Sequence, residues 1–553
     1  MSLVPRSRCQ GLPSQFSPTP TELFSMPARR TLLAVLSLGL TSTPLAAQTF
    51  PTDDATLRRI WEVGQQQSQV YPLMQVLLDS IGPRLTGTPE HAAGNRWLVQ
   101  RYTQWGVPAR EVTYGTWKGW RRGYSHIDLV QPRTRSLEGM ILAWSPGTPK
   151  GRPVTGQVVI LPDVADSAAF VRWLPNARGK FVLVDMAQPT CRPDDNWKQW
   201  ATDSSFRMMS ARRDTMRMAW TARVRRTGYN ISLGTGTLGR RLEQAGAAGV
   251  IQSRWSGGWG VNRIFDSKNT GSTPSIDLSC EDYGLVYRLA DNDQGPVLRV
   301  AADADFTNEA PIGNVIAEIK GRDKPNEYVV LSSHFDSWDG AQGATDNGTG
   351  TIVMLEAMRI LREVYPNPKR TIISGHWTSE EQGLNGSRAF VADRPEVVTG
   401  LQALFNQDNG TGRIVNISAS GLPQAAGNLA TWLSQVPDQL TRNLTNVGLP
   451  GMPGGGGSDF ASFLCHGAPA FSLGAASYDY GTYTWHTNRD TFDKVNFDDV
   501  RSNAILTAML VYLASEDPET VPRDRRVVTT PTGQPGQWPA CADAIRSSSQ
   551  WTR

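Results

Sequence analysis

Apolar residues change their spacing twice along this chain, and each change predicts a different kind of structure. Near the start, Leu73, Leu77 and Ile81, then Trp97, Leu98, Tyr102 and Trp105, recur at helical spacing, and Gly106 is placed to stop the second run. Two amphipathic helices are predicted there. From about 135 to 305 the pattern turns to short apolar runs broken by Gly and Pro: Gln157-Val-Val-Ile-Leu-Pro, Lys180-Phe-Val-Leu-Val-Asp, Gly249-Val-Ile-Gln-Ser and Pro296-Val-Leu-Arg-Val. These predict a separate β-rich unit, with a helix-like segment from Thr237 feeding its third strand. From about 306 onward apolar runs alternate with helical periodicity. Tyr328-Val-Val-Leu-Ser-Ser is followed by a helix carrying Val353, Ala357, Ile360, Leu361 and Val364, then by Thr371-Ile-Ile-Ser-Gly-His-Trp, Leu404-Phe-Asn-Gln-Asp and Ala468-Pro-Ala-Phe-Ser-Leu-Gly. The fold class predicted is α/β, a mixed, mostly parallel sheet with helices on both faces, carrying an inserted β-rich domain. A last helix is expected from about Asp498 to Glu516.

The start of the chain carries a different signal. Met26-Pro-Ala-Arg-Arg precedes the apolar run Leu32 to Leu40 and then Thr-Ser-Thr-Pro-Leu-Ala-Ala-Gln, the charged, apolar and small-residue order of an export signal. Cleavage is expected near Ala47, and residues 1–25 read as an upstream extension. The apolar run is too short to span a bilayer, so the mature chain is expected to lack a transmembrane segment and to be secreted or periplasmic. The expected divisions are therefore 1–47 extension and signal, 48–134 the first part of the main domain, 135–305 the insert, 306–520 the core, and 521–553 a tail.

Composition narrows the function. A length of 553 residues calls for two or three globular units, and a net charge of +4 without a dense basic block gives no case for nucleic acid. The 18 Trp residues suit broad packed surfaces and aromatic-lined clefts, plain core filling being the commoner use. One Arg-rich stretch, 204–227, interleaves Arg207, Arg212, Arg213, Arg217, Arg223, Arg225 and Arg226 with Met and Trp. A solvated helix face with a Met-rich packing side is favoured over a flap or an anion site. Once Cys9 is removed with the leader, Cys191, Cys280, Cys465 and Cys541 remain; they allow three pairings, among which sequence does not choose.

Polar clusters sit where the apolar runs end. His334 and Asp336 alternate at the end of a strand, Asp346 lies in a Gly-bounded turn entering a helix, Glu380 and Glu381 end the next strand, Asp408 the following one, and His486 lies in a loop after the last. Any one of them has an ordinary structural use: Asp in a Gly-rich turn commonly bonds its own backbone, and His376, His91, His126 and His466 are read as core or edge residues. Their joint occurrence at strand ends of one domain is what points to metal-assisted hydrolysis. A carboxylate such as Asp346 can give one oxygen to each of two cations, and one member of a Glu pair can ligate while the other moves protons.

Ser333-His-Phe-Asp, Thr345-Asp-Asn-Gly-Thr-Gly, Ser379-Glu-Glu-Gln-Gly-Leu-Asn-Gly-Ser, Asp408 and His486 together resemble, in order, the M28 metallopeptidases. Ile81-Gly-Pro-Arg-Leu-Thr-Gly-Thr resembles the family's opening segment, the β-rich insert a protease-associated domain, and the stretches around His334 and Glu380 the carboxypeptidase Q branch. The resemblance implies the zinc exopeptidase fold and two Zn2+ ions, one on His334 and Asp408, the other on Glu381 and His486, with Asp346 bridging. Glu380 would be the general base and Asp336 the residue that orients its neighbours. Ser458 and Asp459 are similar to a Ser-Asp-His element near the family's cleft, with Phe460 in place of the His, and join Tyr483 and Trp485 as expected substrate contacts. In some relatives a Tyr near the last His stabilises the tetrahedral intermediate; here Trp485 precedes His486, leaving that role to Tyr480, Tyr483 or a metal.

The expected function is thus an exported di-zinc exopeptidase of aminopeptidase or dipeptidase type, acting on a peptide or dipeptide. A carboxypeptidase of the same family is the alternative, and a receptor-like binding protein or an amino-terminal glutamine cyclase would share the fold. A homodimer stays open, and mixed His and carboxylate ligation also admits cobalt or manganese.

Overall fold

Runs that are apolar on every residue become the central strands, because both faces of the sheet they form are covered. The protein is described by a computed structural model over residues 52–230, 237–267, 270–453, 456–527, 529, 534 and 536–551; the expected extension and signal, 1–47, lie outside the described residues. The strands are β1 (Ala109–Gln131), β2 (Arg135–Ser136), β3 (Gly139–Ile141), β4 (Val154–Ile160), β5 (Phe181–Leu183), β6 (Gly249–Gln252) and β7 (Ser275–Leu278), followed by β8 (Val297–Ile319), β9 (Lys324–His334), β10 (Arg370–Trp377), β11 (Leu401–Gln407), β12 (Ile414–Ser418), β13 (Asn446–Gly448) and β14 (Ala470–Ala475). They connect into one sheet in the order β13-β12-β14-β11-β9-β10-β8-β4-β5-β6-β7-β3, with β1 paired to β8 and β2. The pairs β10/β9, β9/β11 and β11/β14 are parallel, and β10/β8 is antiparallel. The sheet is mixed and mostly parallel at its centre.

Side chains of β10 show the two covered faces directly, since neighbours on a strand point to opposite sides. His376 meets the Tyr102 hydroxyl at 2.7 Å, on the helix Pro89–Gln104. Trp377, next along, packs its ring 5.0 Å from Phe390 and 6.0 Å from Phe463, on the helices Asn385–Asp393 and Phe460–Leu464. His376 is fully buried and held low, at about 3, by burial, as suits a core histidine. The last helix runs Phe497–Glu516, with the Asn496 side chain capping Asp499 N–H. A helix that the sequence pattern did not reveal, Ala55–Gln66, packs against it.

The long strand β8 belongs to both groups of strands. Its first residues pair with β4 and its last with β10, and β1 follows it antiparallel with four register shifts. Disulfides join Cys191 to Cys280 and Cys465 to Cys541, the second pinning the tail to the helix Phe460–Leu464. The Arg-rich stretch is a helix, Asp203–Arg226, that buries Met209 and Trp220, leaves Met208 and Met218 exposed, and pairs Arg213 with Asp194 and Arg226 with Asp163. Among the described residues no helix is long and apolar enough to cross a membrane.

The chain that follows β9 passes very close to the helix Pro89–Gln104. A Cβ added at Gly94 would lie 2.4 Å from Phe335 Cζ, and Phe335 stands between His334 and Asp336. The ring is buried and has no room to withdraw. Gly94→Ala is expected to cost about 1–3 kcal/mol by overpacking, read as a lower urea midpoint; an unchanged midpoint would show that the contact is slack.

Candidate metal centre

Parallel strands deliver their carboxyl ends to one edge of the sheet, and the polar clusters gather there. His334 is the last residue of β9, Glu380 and Glu381 follow β10, and Asp408 follows β11. Asp346 arrives from a π-type turn, Ala344–Gly348, and His486 from the loop after β14. His334 Nε2 lies 3.0 Å from Asp408 Oδ1 and 3.4 Å from Asp346 Oδ1. His486 Nε2 lies 3.0 Å from Glu381 Oε2 and 3.2 Å from Asp346 Oδ2. The two oxygens of Asp346 therefore face different imidazoles. Two groups result, His334 with Asp346 and Asp408, and Asp346 with Glu381 and His486, each with its donor atoms within 4.8 Å of one another.

The donor set suits cations. Glu381 Oε1 is buried and makes no hydrogen bond, and Asp346 Oδ2 has only the off-line approach of the His486 ring at 3.2 Å, which is costly for a carboxylate unless a cation takes the place of the missing donors. Asp336, Asp346, Glu380, Glu381, Asp408, Asp459 and Asp490 gather in or beside this edge, and the fully buried cation among them is Arg84. Burial alone would push the His334 imidazole down, but the charges of Asp408 and Glu380 hold it well above its usual value. His486, against the same burial, is raised to about 9 by Glu381 and Asp346. Burial lifts the Glu380 carboxyl well above the carboxylate range against the pull of His334, with Asp408, Asp459 and Glu381 adding to the rise.

Asp336 binds backbone. Its carboxylate accepts N–H bonds from Glu380 at 3.1 Å and Glu381 at 3.3 Å, and its own carbonyl meets His334 Nδ1 at 3.0 Å. Two residues of like kind were not picked out by sequence reasoning. Asp490 accepts the N–H of Thr345 at 2.7 Å and of Asp346 at 3.1 Å. Arg84 donates to the carbonyls of Phe335 at 2.8 Å, Gln342 at 2.9 Å and Gly343 at 2.9 Å. Asn347 donates to Gln407 O at 2.9 Å and accepts from Gly350 N at 3.1 Å, tying the Asp346 turn to the end of β11.

The expected substrate contacts occupy distinct places. Tyr483 lines a cavity of about 440 Å3 together with Trp259, Thr345, Gly410, Tyr478 and Tyr480. Trp485 lies 4.0 Å from the His486 ring, tilted 33° to it, under Arg263. Ser458 is buried and accepts from Asn406 at 2.9 Å, and Asp459 is buried with neither oxygen hydrogen-bonded. Of the other histidines, His91 is buried and His126 is exposed beside Asp128. His466 flanks the Cys465–Cys541 disulfide, whose sulfurs are therefore engaged in a bond.

Residues 314–511 match the family model of peptidase family M28. Carboxypeptidase Q of Mus musculus is 23% identical over 461 residues, covering 83% of this chain and 88% of that protein, and carboxypeptidase Q of Homo sapiens is equally similar. Among solved structures, the peptidase M28 precursor from Shewanella amazonensis has a TM-score of 0.61 at 21% identity, covering 86% of this chain and 100% of its own. BSAP, a zinc aminopeptidase from Bacillus subtilis, has a TM-score of 0.52 at 16% identity, covering 83% and 97%. These likenesses support the mixed α/β fold seen here.

Asp490 fixes the Asp346 backbone from a separate loop. Asp490→Asn is expected to weaken metal affinity about 10- to 100-fold, as loss of a ligand's supporting hydrogen bonds does. Chelator competition measures this; unchanged affinity would mean that the Asp346 turn holds itself.

Proposed function

We propose that the chain is an M28 peptidase, a reading supported by the family match over residues 314–511 and by the likeness to carboxypeptidase Q, and that it is an exported di-zinc exopeptidase that cleaves dipeptides or the terminal bond of peptides, with Glu380 as general base. The observation that carries this reading is the Asp346 carboxylate, whose two oxygens face separate His-containing groups. His334 and Asp408 would hold one ion and Glu381 and His486 the other, with Asp346 shared. Bound there, two divalent cations supply Lewis acidity, making water acidic enough to attack near neutral pH and polarising the scissile carbonyl. Zinc is favoured by the His and carboxylate donor set and by the likeness to a zinc aminopeptidase.

The remaining chemistry belongs to the side chains. Glu380 takes a proton from the attacking water and passes it to the leaving amine. Asp336 grips the N–H groups of Glu380 and Glu381, so base and ligand keep a fixed separation. Its carbonyl fixes the His334 ring by Nδ1 and leaves Nε2 turned toward the acidic cluster. Tyr480, whose phenol is held well above its usual value by burial and by the charges of Asp346 and Asp408, keeps its proton and is a donor for a developing oxyanion. The aromatic cavity with Tyr483 would take a substrate side chain.

Two disulfides suit the oxidising compartment implied by the segment Met26–Ala47. The segment 135–305 is read as a protease-associated insert, supported by its own parallel strands β4, β5, β6 and β7.

Glu380→Gln is expected to keep two metals per chain by mass spectrometry and to lose about 10²- to 10⁴-fold in kcat, the usual contribution of a general base. A fully active variant would remove Glu380 from that role. Chelation should lower both activity and Tm, because the buried carboxylates then repel one another uncompensated; equal Tm with and without chelator would count against the metal reading.

A further inference from the structure

We infer that the C-terminal tail holds the turn that carries Glu380 and Glu381, acting through the buried side chain of Asn385, which is a positioning residue for Glu380. The inference rests on the peptidase reading above and adds to it a role for the last residues of the chain.

The turn between β10 and the helix Asn385–Asp393 departs from ordinary backbone at both ends. Ser379, just before Glu380, and Leu384, just before the helix, each have a φ of +58°, the left-handed region that a side chain with a Cβ enters at a cost. Such a turn keeps its shape only where neighbours hold it. At its entry the Asp336 carboxylate takes the N–H groups of Glu380 and Glu381. At its exit Asn385 spans the loop, its N–H donating to Ser379 O at 3.1 Å and its side-chain Nδ2 to Gln382 O at 3.2 Å. Between them Gly383 N–H and Leu384 N–H close on Glu380 O, at 2.7 and 2.9 Å.

The other atom of the Asn385 amide meets the tail. Its Oδ1 accepts the N–H of Ile545 at 2.9 Å. A backbone donor on one side and a backbone carbonyl on the other leave the amide one orientation. Because Asn385 is fully buried, loss of the Ile545 N–H would strand its oxygen, and the amide could satisfy it only by turning away from Gln382.

The tail is seated firmly enough to act as this support. Thr116 N–H donates to Arg546 O at 2.9 Å and Lys118 N–H to Ser548 Oγ at 3.1 Å, both from β1. The Arg546 guanidinium binds Asp393, at the far end of the same helix, at 2.6 and 3.1 Å. Trp551 packs its ring 5.6 Å from Trp117 and 5.4 Å from Trp144. Gly115 admits the tail: a Cβ there would lie 2.2 Å from Arg546 O. The Cys465–Cys541 disulfide ties the chain shortly before Ile545, which limits how far the donor can move away.

The full-length protein at saturating zinc provides the test. Asn385→Leu removes the amide, Ile545→Pro removes the donating N–H, and Gly115→Ala displaces the tail without touching the turn. Each should lower kcat about 10- to 100-fold and leave KM within about twofold, the mark of a misplaced base. Ile545→Val, which keeps the N–H, should restore most of the loss seen in Ile545→Pro. Since the residues act along one path, adding Asn385→Leu to Ile545→Pro should cost less than about twofold more, and the loss on Asn385→Leu should shrink below about threefold once Glu380 is Gln. Hydrogen exchange reads the turn itself, and the amides of 383–385 should exchange about 10-fold or more faster in Ile545→Pro than in Ile545→Val. With an active wild type, unchanged kcat in Asn385→Leu and Gly115→Ala, unchanged exchange, or a loss just as large in the Glu380→Gln background overturns the inference. Faster exchange in Ile545→Pro, from a wild type that turns over no peptide, would instead count against the peptidase reading and leave the hold of the tail on the turn standing.

Discussion

Everything at the carboxyl edge of the sheet is organised by one electrostatic problem, the confinement of many carboxylates in a space with little water. Burial of an unpaired carboxylate costs several kcal/mol, so each must find a cation or a set of donors. The chain separates the carboxylates by the partner they use. Asp336 and Asp490 spend theirs on backbone N–H groups of Glu380, Glu381, Thr345 and Asp346. Asp346 and Glu381 each keep a buried oxygen short of donors. The first pair immobilises the loops, and the second is the pair that the proposed function would give to ions. Arg84 completes the arrangement from the opposite sign, absorbing the carbonyls of the same loops while its charge offsets the acidic cluster.

The division explains which parts were legible in the sequence. His334, Asp346, Glu380, Glu381, Asp408 and His486 announce themselves because each follows an apolar run, and a parallel sheet puts the ends of such runs side by side. Arg84 lies in the segment that resembles the family's opening and Asp490 four residues after His486, but both act on backbone far away in sequence, so nothing local to either reveals that role. The helix Ala55–Gln66 escaped notice because its polar half, ending in a Gln run, dilutes the apolar stripe of Leu57, Ile60, Trp61 and Val63. The length of β1 and β8 was hidden by internal Gly residues and register shifts that break the alternation on which strand reading depends.

The chain of the strand group from β3 to β7 also reaches the candidate metal centre physically. Ile264 N–H donates to His486 O at 2.7 Å, Asn262 N–H to the Asn488 side chain at 2.9 Å, and the Phe265 ring lies 4.8 Å from the His486 ring. Arg263 covers Trp485, which itself packs against His486. These contacts matter because His486 has a φ of +59°, the left-handed region that a side chain with a Cβ enters at a cost of about 1–2 kcal/mol. Local sequence does not favour that conformation; the hydrogen bond from Ile264 and the aromatic packing hold it.

His486 is therefore positioned by a part of the chain that supplies none of the other residues of the candidate metal centre. Because β8 pairs with β4 at one end and with β10 at the other, the segment 260–266 and the ends of β9 and β10 are carried on one hydrogen-bonded sheet. A shift of one strand group against the other would have to break β8 pairing or release His486 from its left-handed backbone. Both are costly, so the spacing between His486 and Asp346, Glu381, Asp408 and His334 is set by the sheet as a whole, and the β-rich segment is a structural component of the candidate metal centre.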